Sequence, residues 1–335
     1  MRVCVYGLGA VGGLVAARLA RAGVDVVAVA RGETLSAVRR EGLRLVEPGP
    51  DGDAGSTVRL EAVEDPAELG ERDLVVLAVK SQALPAVAAR LGPLVGSGTA
   101  VLPAVNGVPW WFLRGLPGWP GLRLPSVDPT GALAAAVPDG AVVGSVLHLA
   151  ASTPAPGVVR HDHGERVIVG DPSGAPGRRT RGAAEVLREG GFAVEVTEDV
   201  RREVWFKLWG NMTMNPLSAI TGATLDRILA DALVREFASR CMREAAEVGA
   251  RIGVPIADDP EDRHALTARL GALRTSMLQD VEAGRALELD ALVTAVSELG
   301  DAVGVDTPDI DALLGLARLQ AEVRGLYRST ITAPV

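Results

Sequence analysis

Apolar positions along this chain come first as short unbroken runs and later as a helical rhythm. MRVCVYG reads as a buried strand, GLGAVGG as a turn, LVAARLARAG as a helix closed by Gly23, and VDVVAVAR as a second strand. DLVVLAVKSQ (73–82) and GTAVLPAVNG (98–107) repeat the strand pattern, the first ending at Lys80 and the second near Asn106. Apolar stretches at 141–149, 166–170 and 192–196, separated by Pro- and Gly-rich turns such as DPSGAPG, are read as further strands of the same sheet. Beyond residue 197 the period changes to that of helices, through 200–250, 260–300 and 308–328. The expectation is an α/β chain: a Rossmann-like dinucleotide-binding domain over 1–196, then an all-helical domain over 197–335.

The first turn carries chemistry. Gly7, Gly9 and Gly12 form G-x-G-x-x-G directly after a strand and at the opening of a helix, where a dinucleotide pyrophosphate is cradled on the helix N-terminus. Gly7, Leu8, Gly9, Ala10, Val11 and Gly12 are therefore the expected phosphate loop. The end of the second strand selects the cofactor. An NAD site usually places Asp or Glu there, yet the sequence reads Val29-Ala30-Arg31-Gly32. A guanidinium at Arg31 can grip a 2′-phosphate through two parallel hydrogen bonds, so NADP(H) is expected.

Composition narrows the partners. At 335 residues and 48% hydrophobic content the chain can bury a large core, which at 3% aromatics must be aliphatic. A net charge of -8 argues against nucleic acid and anionic membrane surfaces, and no run is long enough to span a bilayer. Cys4 and Cys241 are read as buried free thiols suited to a reducing cytoplasm, and no metal site is expected.

Scarce residue types mark the other half of the site. Of 34 basic side chains only Lys80 and Lys207 are lysine, and the only asparagines are Asn106, Asn211 and Asn215. Lysine can release a proton when desolvated, whereas arginine effectively cannot. Lys207, Asn211 and Asn215 recur at i, i+4, i+8 within EVWFKLWGNMTMNP (203–216), which places them along one helix face. Pro216 should kink or end that helix. Lys80 and Asn106 fall at strand ends, the edge where doubly wound sheets bind ligands. Downstream, Glu288 sits amid Ala and Leu, where an acid must reach solvent or a ligand.

These elements together resemble the ketopantoate reductase (2-dehydropantoate 2-reductase) family. The matching segments are GLGAVG at 7–12, Arg31, VK at 79–80, NG at 106–107, WFKLWGNMTMNPLSAITG at 205–222, SMLQD at 276–280 and LELD at 287–290, spanning nearly the whole chain. The resemblance implies NADPH-dependent reduction of a 2-oxo acid. It makes Lys207 the proton donor and has Asn211, Asn215 and Ser276 bind substrate. Asn106 would lie between cofactor and substrate, Glu288 would contact cofactor and reacting end, and Lys80 the cofactor side. A related 2-oxo or hydroxy acid dehydrogenase and a non-catalytic NADP sensor stay open, as does a homodimer. One segment departs from the family pattern. The stretch after Asn106 carries Trp110, Trp111 and Trp119, which fit either a lid or reshaped acyl pocket, or an insertion packed on its own domain or a second subunit.

Overall fold

The computed structural model describes residues 1–49, 52–119 and 121–327. Two compact units divide it: Met1–Val105 with Thr130–Glu203, and Asn106–Pro129 with Val204–Val335. Set beside the division expected at residue 196, the segment Asn106–Pro129 goes with the later, helical unit, and the final crossing falls between Glu203 and Val204.

In the first unit β1 (Arg2–Tyr6), α1 (Ala10–Arg21) and β2 (Asp25–Val29) form the expected βαβ opening, followed by α2 (Gly32–Glu41). The antiparallel pair β3 (Leu43–Gly49) and β4 (Gly52–Val58) comes next, then β5 (Glu61–Val63), β6 (Leu74–Leu77), the short α3 (Leu84–Ala88) and β7 (Ala100–Pro103). The first sheet has the order β5-β2-β1-β6-β7, and every pairing in it is parallel. Register pairs Tyr6 with both Val29 and Leu77, and Leu77 with Pro103, so four strands end level. Gly7, Ala30 and Ala78 therefore leave the sheet along one carboxyl edge.

Apart from one isolated parallel bridge between Val142 and Val101 of β7, the later apolar runs do not extend that sheet. After α4 (Ala132–Ala136), β8 (Gly144–Ala155) and β9 (Val158–Gly170) form a long antiparallel hairpin turning at Gly157, whose φ of +74° suits glycine. With α5 (Arg178–Glu189) and β10 (Ala193–Thr197) they build a second sheet of order β10-β9-β3-β4, with β8 alongside β9. Apolar runs announce strands but not which partner they pair with, so the periodicity could not separate the two sheets. Helix α1 packs against β2 of the first sheet and against β3, β8 and β9 of the second. Covered on several sides, it buries Leu14, Ala16, Ala17 and Leu19 completely, the pattern of an interior helix. Its one buried charge, Arg18, is paired with Glu47 and Glu165 and donates to His161 Nδ1 at 3.1 Å.

The second unit is helical, as expected. It contains most of α6 (Val200–Thr221), then α7 (Leu225–Ala230), α8 (Ala232–Arg251), α9 (Pro260–Ala268), α10 (Ser276–Glu282), α11 (Ala295–Val303) and α12 (Pro308–Val323). Side chains cap three of them: Asp231 accepts from Leu233 and Val234 amides, Asp259 from Glu261, and Thr275 from Leu278. Helix α6 does not stop at Pro216 but runs on to Thr221. Proline there removes the bond to the Met212 carbonyl without ending the helix, because buried neighbours such as Met214 and Leu217 hold it in place. The expected helical rhythm over 308–328 ends as helix at Val323, and residue 328 lies outside the described residues.

Candidate active site

The phosphate loop shows why its residues must be glycine. Gly7 has φ +100°, and a Cβ on it would come within 2.7 Å of Val79 Cγ1. A Cβ on Gly12 would run into the Gly7 carbonyl and lie 2.8 Å from Ala78 Cβ, so α1 could not sit this close to β1 and β6. Gly9 differs: a Cβ on it would meet nothing within 4 Å. Two glycines close the turn and the middle one faces open space, the cradle a diphosphate fills at the start of α1. Arg31 is exposed at the N-cap of α2, and its guanidinium makes no hydrogen bond or ion pair among the described residues. Lys80, half-buried, follows β6 at the head of a short 3-10 turn (Ser81–Ala83). Loop, Arg31 and Lys80 all belong to the first unit.

In the second unit two of the scarce polar residues, Lys207 and Asn106, meet. Its Nζ donates to Asn106 Oδ1 at 2.9 Å. Burial drives the Lys207 pKa down to about 8; the Glu288 carboxylate opposes this, and the Arg263 guanidinium reinforces it. One side chain is thus bonded to an amide acceptor and lies in the opposing fields of a carboxylate and a second cation. Asn211 and Asn215 follow along α6, the first half-buried and the second buried. Ser276, the first residue of α10, is exposed and makes no hydrogen bond to Lys207, Asn106 or Glu288.

Asn106 reaches Lys207 because of the residue after it. Gly107 has φ +87°, and its Cα lies so close to Ala291 that an added Cβ would stand 2.5 Å from the Ala291 carbonyl carbon. The Val108 amide then donates to Ala291 O at 2.7 Å. Ala291 belongs to a π-helical turn (Asp290–Thr294), which begins two residues after Glu288. The same irregular turn therefore docks the Asn106 loop and lies just beyond Glu288; such turns are often found at functional sites.

The tryptophan-rich segment lines the interior of this unit. Trp111 and Phe112 are 1% and 0% exposed, and Phe112 stacks on Trp205 of α6 at 5.7 Å between ring centroids. Of the two readings left open by the sequence, these contacts are those of an insertion packed on its own domain.

One functional candidate is invisible to residue counting. Arg263 of α9 lies over the Phe206 ring at 5.6 Å and presses on Gly210, where a Cβ would stand 2.7 Å from its Nε. Its Nη1 donates to Thr267 Oγ1 at 3.0 Å, while its buried Nε has no partner among the described residues. In so arginine-rich a chain nothing singles it out. The available signal was Gly210, an unexplained glycine inside a helix.

Comparison with known proteins finds relatives along nearly the whole chain. Residues 3–174 match the family model for ketopantoate reductase PanE/ApbA, and residues 199–321 match the model for its C-terminal part. A 2-dehydropantoate 2-reductase of Mesorhizobium japonicum is 43% identical over 98% of this chain and 100% of its own length. One from Halobacterium salinarum is 31% identical over 95% and 98%. A crystal structure from Ralstonia solanacearum, assigned as a ketopantoate reductase, superposes with a TM-score of 0.91 at 51% identity, covering 97% of this chain and 99% of that one.

Proposed function

This chain belongs to the ketopantoate reductase family, and on that premise we propose that it reduces 2-dehydropantoate to pantoate with NADPH. The observation that carries the reading is the desolvated Lys207 ammonium, held at 2.9 Å by Asn106 with its pKa near 8. A general acid works best with a pKa close to the operating pH. The open Gly9 cradle and the unpaired Arg31 fit a dinucleotide diphosphate and a 2′-phosphate, which favours NADPH over NADH. When bound, NADPH supplies a hydride to the carbonyl carbon of the 2-oxo acid.

The remaining chemistry falls to the chain's own side chains. Lys207 holds a proton at Nζ and passes it to the carbonyl oxygen as that oxygen becomes an alkoxide, leaving a 2-hydroxy acid. Asn106 Oδ1 fixes the direction of the ammonium, and Glu288 keeps it protonated against the pull of burial. Asn211 and Asn215 offer amide donors to the substrate without adding a charge that would lower the Lys207 pKa further. Ser276 joins them in this reading, and Lys80 serves the cofactor side.

The reading extends to the setting of the enzyme. Among the described residues no helix is long and apolar enough to cross a membrane. Cys4 and Cys241 are buried free thiols, and burial pushes the Cys4 pKa up to about 12, which leaves it unreactive; a cytoplasmic setting is part of the same proposal. A homodimer is part of the same reading, tested by sedimentation. The decisive experiment is steady-state reduction of a panel of 2-oxo acids with NADPH. Ketopantoate should have the highest kcat/KM, and absence of turnover with every 2-oxo acid would overturn the proposal.

A further inference from the structure

We infer that Arg263 binds the carboxylate of the substrate, and so makes this site select 2-oxo acids over neutral 2-oxo compounds. The inference rests on the reductase reading and adds to it a residue and a selection rule.

Burying a guanidinium without a counter-charge is costly, and buried charges are normally paired. Arg263, partly buried with its Nε sealed in, departs from that rule. Among the described residues it forms no ion pair, and its only side-chain hydrogen bond goes from Nη1 to the neutral Thr267 hydroxyl. Burial alone lowers its pKa, with no carboxylate opposing the effect. The Nε–Nη2 side of the guanidinium is left without a bond, and Nε is shut off from solvent. Phe206 and Gly210 hold the plane in place, so its orientation is fixed without any anion from the chain.

The location says which anion is missing. Gly210 is one turn along α6 from Lys207 and adjacent to Asn211, and side chains three apart on a helix lie about 5–6 Å from each other. Arg263 is also close enough to Lys207 to depress its pKa. A 2-oxo acid carries its carboxylate on the atom bonded to the carbonyl carbon. Lys207 on the carbonyl oxygen and Arg263 on the carboxylate therefore match the two ends of one small group. Nε is shut off from solvent, so a carboxylate meets the guanidinium at Nη2, which is unbonded and not sealed in, through a charge-assisted hydrogen bond. The lack of a side chain at position 210 is what lets the guanidinium come this near the helix.

The test compares each 2-oxo acid with its own methyl ester, which keeps the carbonyl and loses the charge. Arg263→Gln should raise KM for the acid by about 10²-fold and leave kcat/KM for the ester within a few-fold, so the preference of acid over ester collapses. Removing the cation should also move the alkaline limb of the pH profile upward, because Lys207 loses a repelling neighbour. Arg263→Lys keeps charge without the planar fork, and should retain an acid preference between the two; it also serves if the glutamine variant does not fold. Equal losses for acid and ester in both variants, or an unchanged KM for the acid, would refute the role of Arg263. A wild-type enzyme that reduces no 2-oxo acid would instead defeat the reductase reading itself, so the two failures are distinguishable.

Discussion

At the residue scale, Lys207 combines a positive charge with a proton that can leave, and one substitution separates the two. Lys207→Arg should keep much of the substrate affinity yet lower kcat by about 10²–10⁴-fold, because guanidinium is too weak an acid to protonate an alkoxide. With Lys207 as the proposed proton donor and its pKa near 8, kcat of the wild type should fall as pH rises through about 8; the arginine variant should lack that limb. Near-normal turnover in the arginine variant would reduce Lys207 to an electrostatic anchor. Arg31 is tested by affinity instead. Arg31→Ala should narrow the preference for NADPH over NADH by about 1.5–3 kcal/mol, roughly ten- to a hundredfold, and equal affinities in the wild type would sink the assignment. Lys207 stood out because lysine is scarce in this chain, and Arg31 because it occupies the strand end where a dinucleotide site usually has an acid. Arg263 did not, since its signal is an absent partner, and partners across α6 and α9 are a property of the fold.

At the element scale, short irregular pieces position the site more than the long helices do. Gly107 lets the chain press against the π turn at Ala291, and Asn106 is carried to Lys207 as a result. Gly107→Ala should therefore cost roughly 1–3 kcal/mol for the left-handed backbone, plus a loss of kcat as Asn106 is displaced. Gly304→Ala is the natural control: its φ is +69°, but an added Cβ would meet nothing within 4 Å. The control should lose stability alone, as read by thermal melts and steady-state rates side by side; equal kcat losses in the two variants would mean that docking on Ala291 is not what matters. Glycine after Asn106 was visible in the sequence, but its partner 184 positions further on was not. Pro216 taught the converse. A local rule said the helix should kink or end, and packing around Met214 and Leu217 carried it through.

At the scale of the whole molecule, the order of strands and helices was legible and their grouping was not. The βαβ opening, the strands ending at Leu77 and Pro103 and the helical half all follow from period and punctuation. The split of later strands into a second sheet, and the transfer of Asn106–Pro129 to the helical unit, depend on long-range pairing that no window of sequence contains. That transfer has an optical consequence. All five tryptophans, at 110, 111, 119, 205 and 209, fall in the second unit, and none in the first. Intrinsic tryptophan emission is thus a private reporter on the unit that holds Lys207, silent about the dinucleotide unit, whereas far-ultraviolet circular dichroism sums over both. Gly12→Ala, which damages the first unit through the Gly7 carbonyl, should weaken the dichroism signal and NADPH binding while the emission wavelength of the unheated protein stays where it was. A red-shifted emission from that variant would show that the environment of Trp111, Trp205 and Trp209 depends on a unit that contributes no tryptophan of its own, and the two spectra would then trace one shared transition.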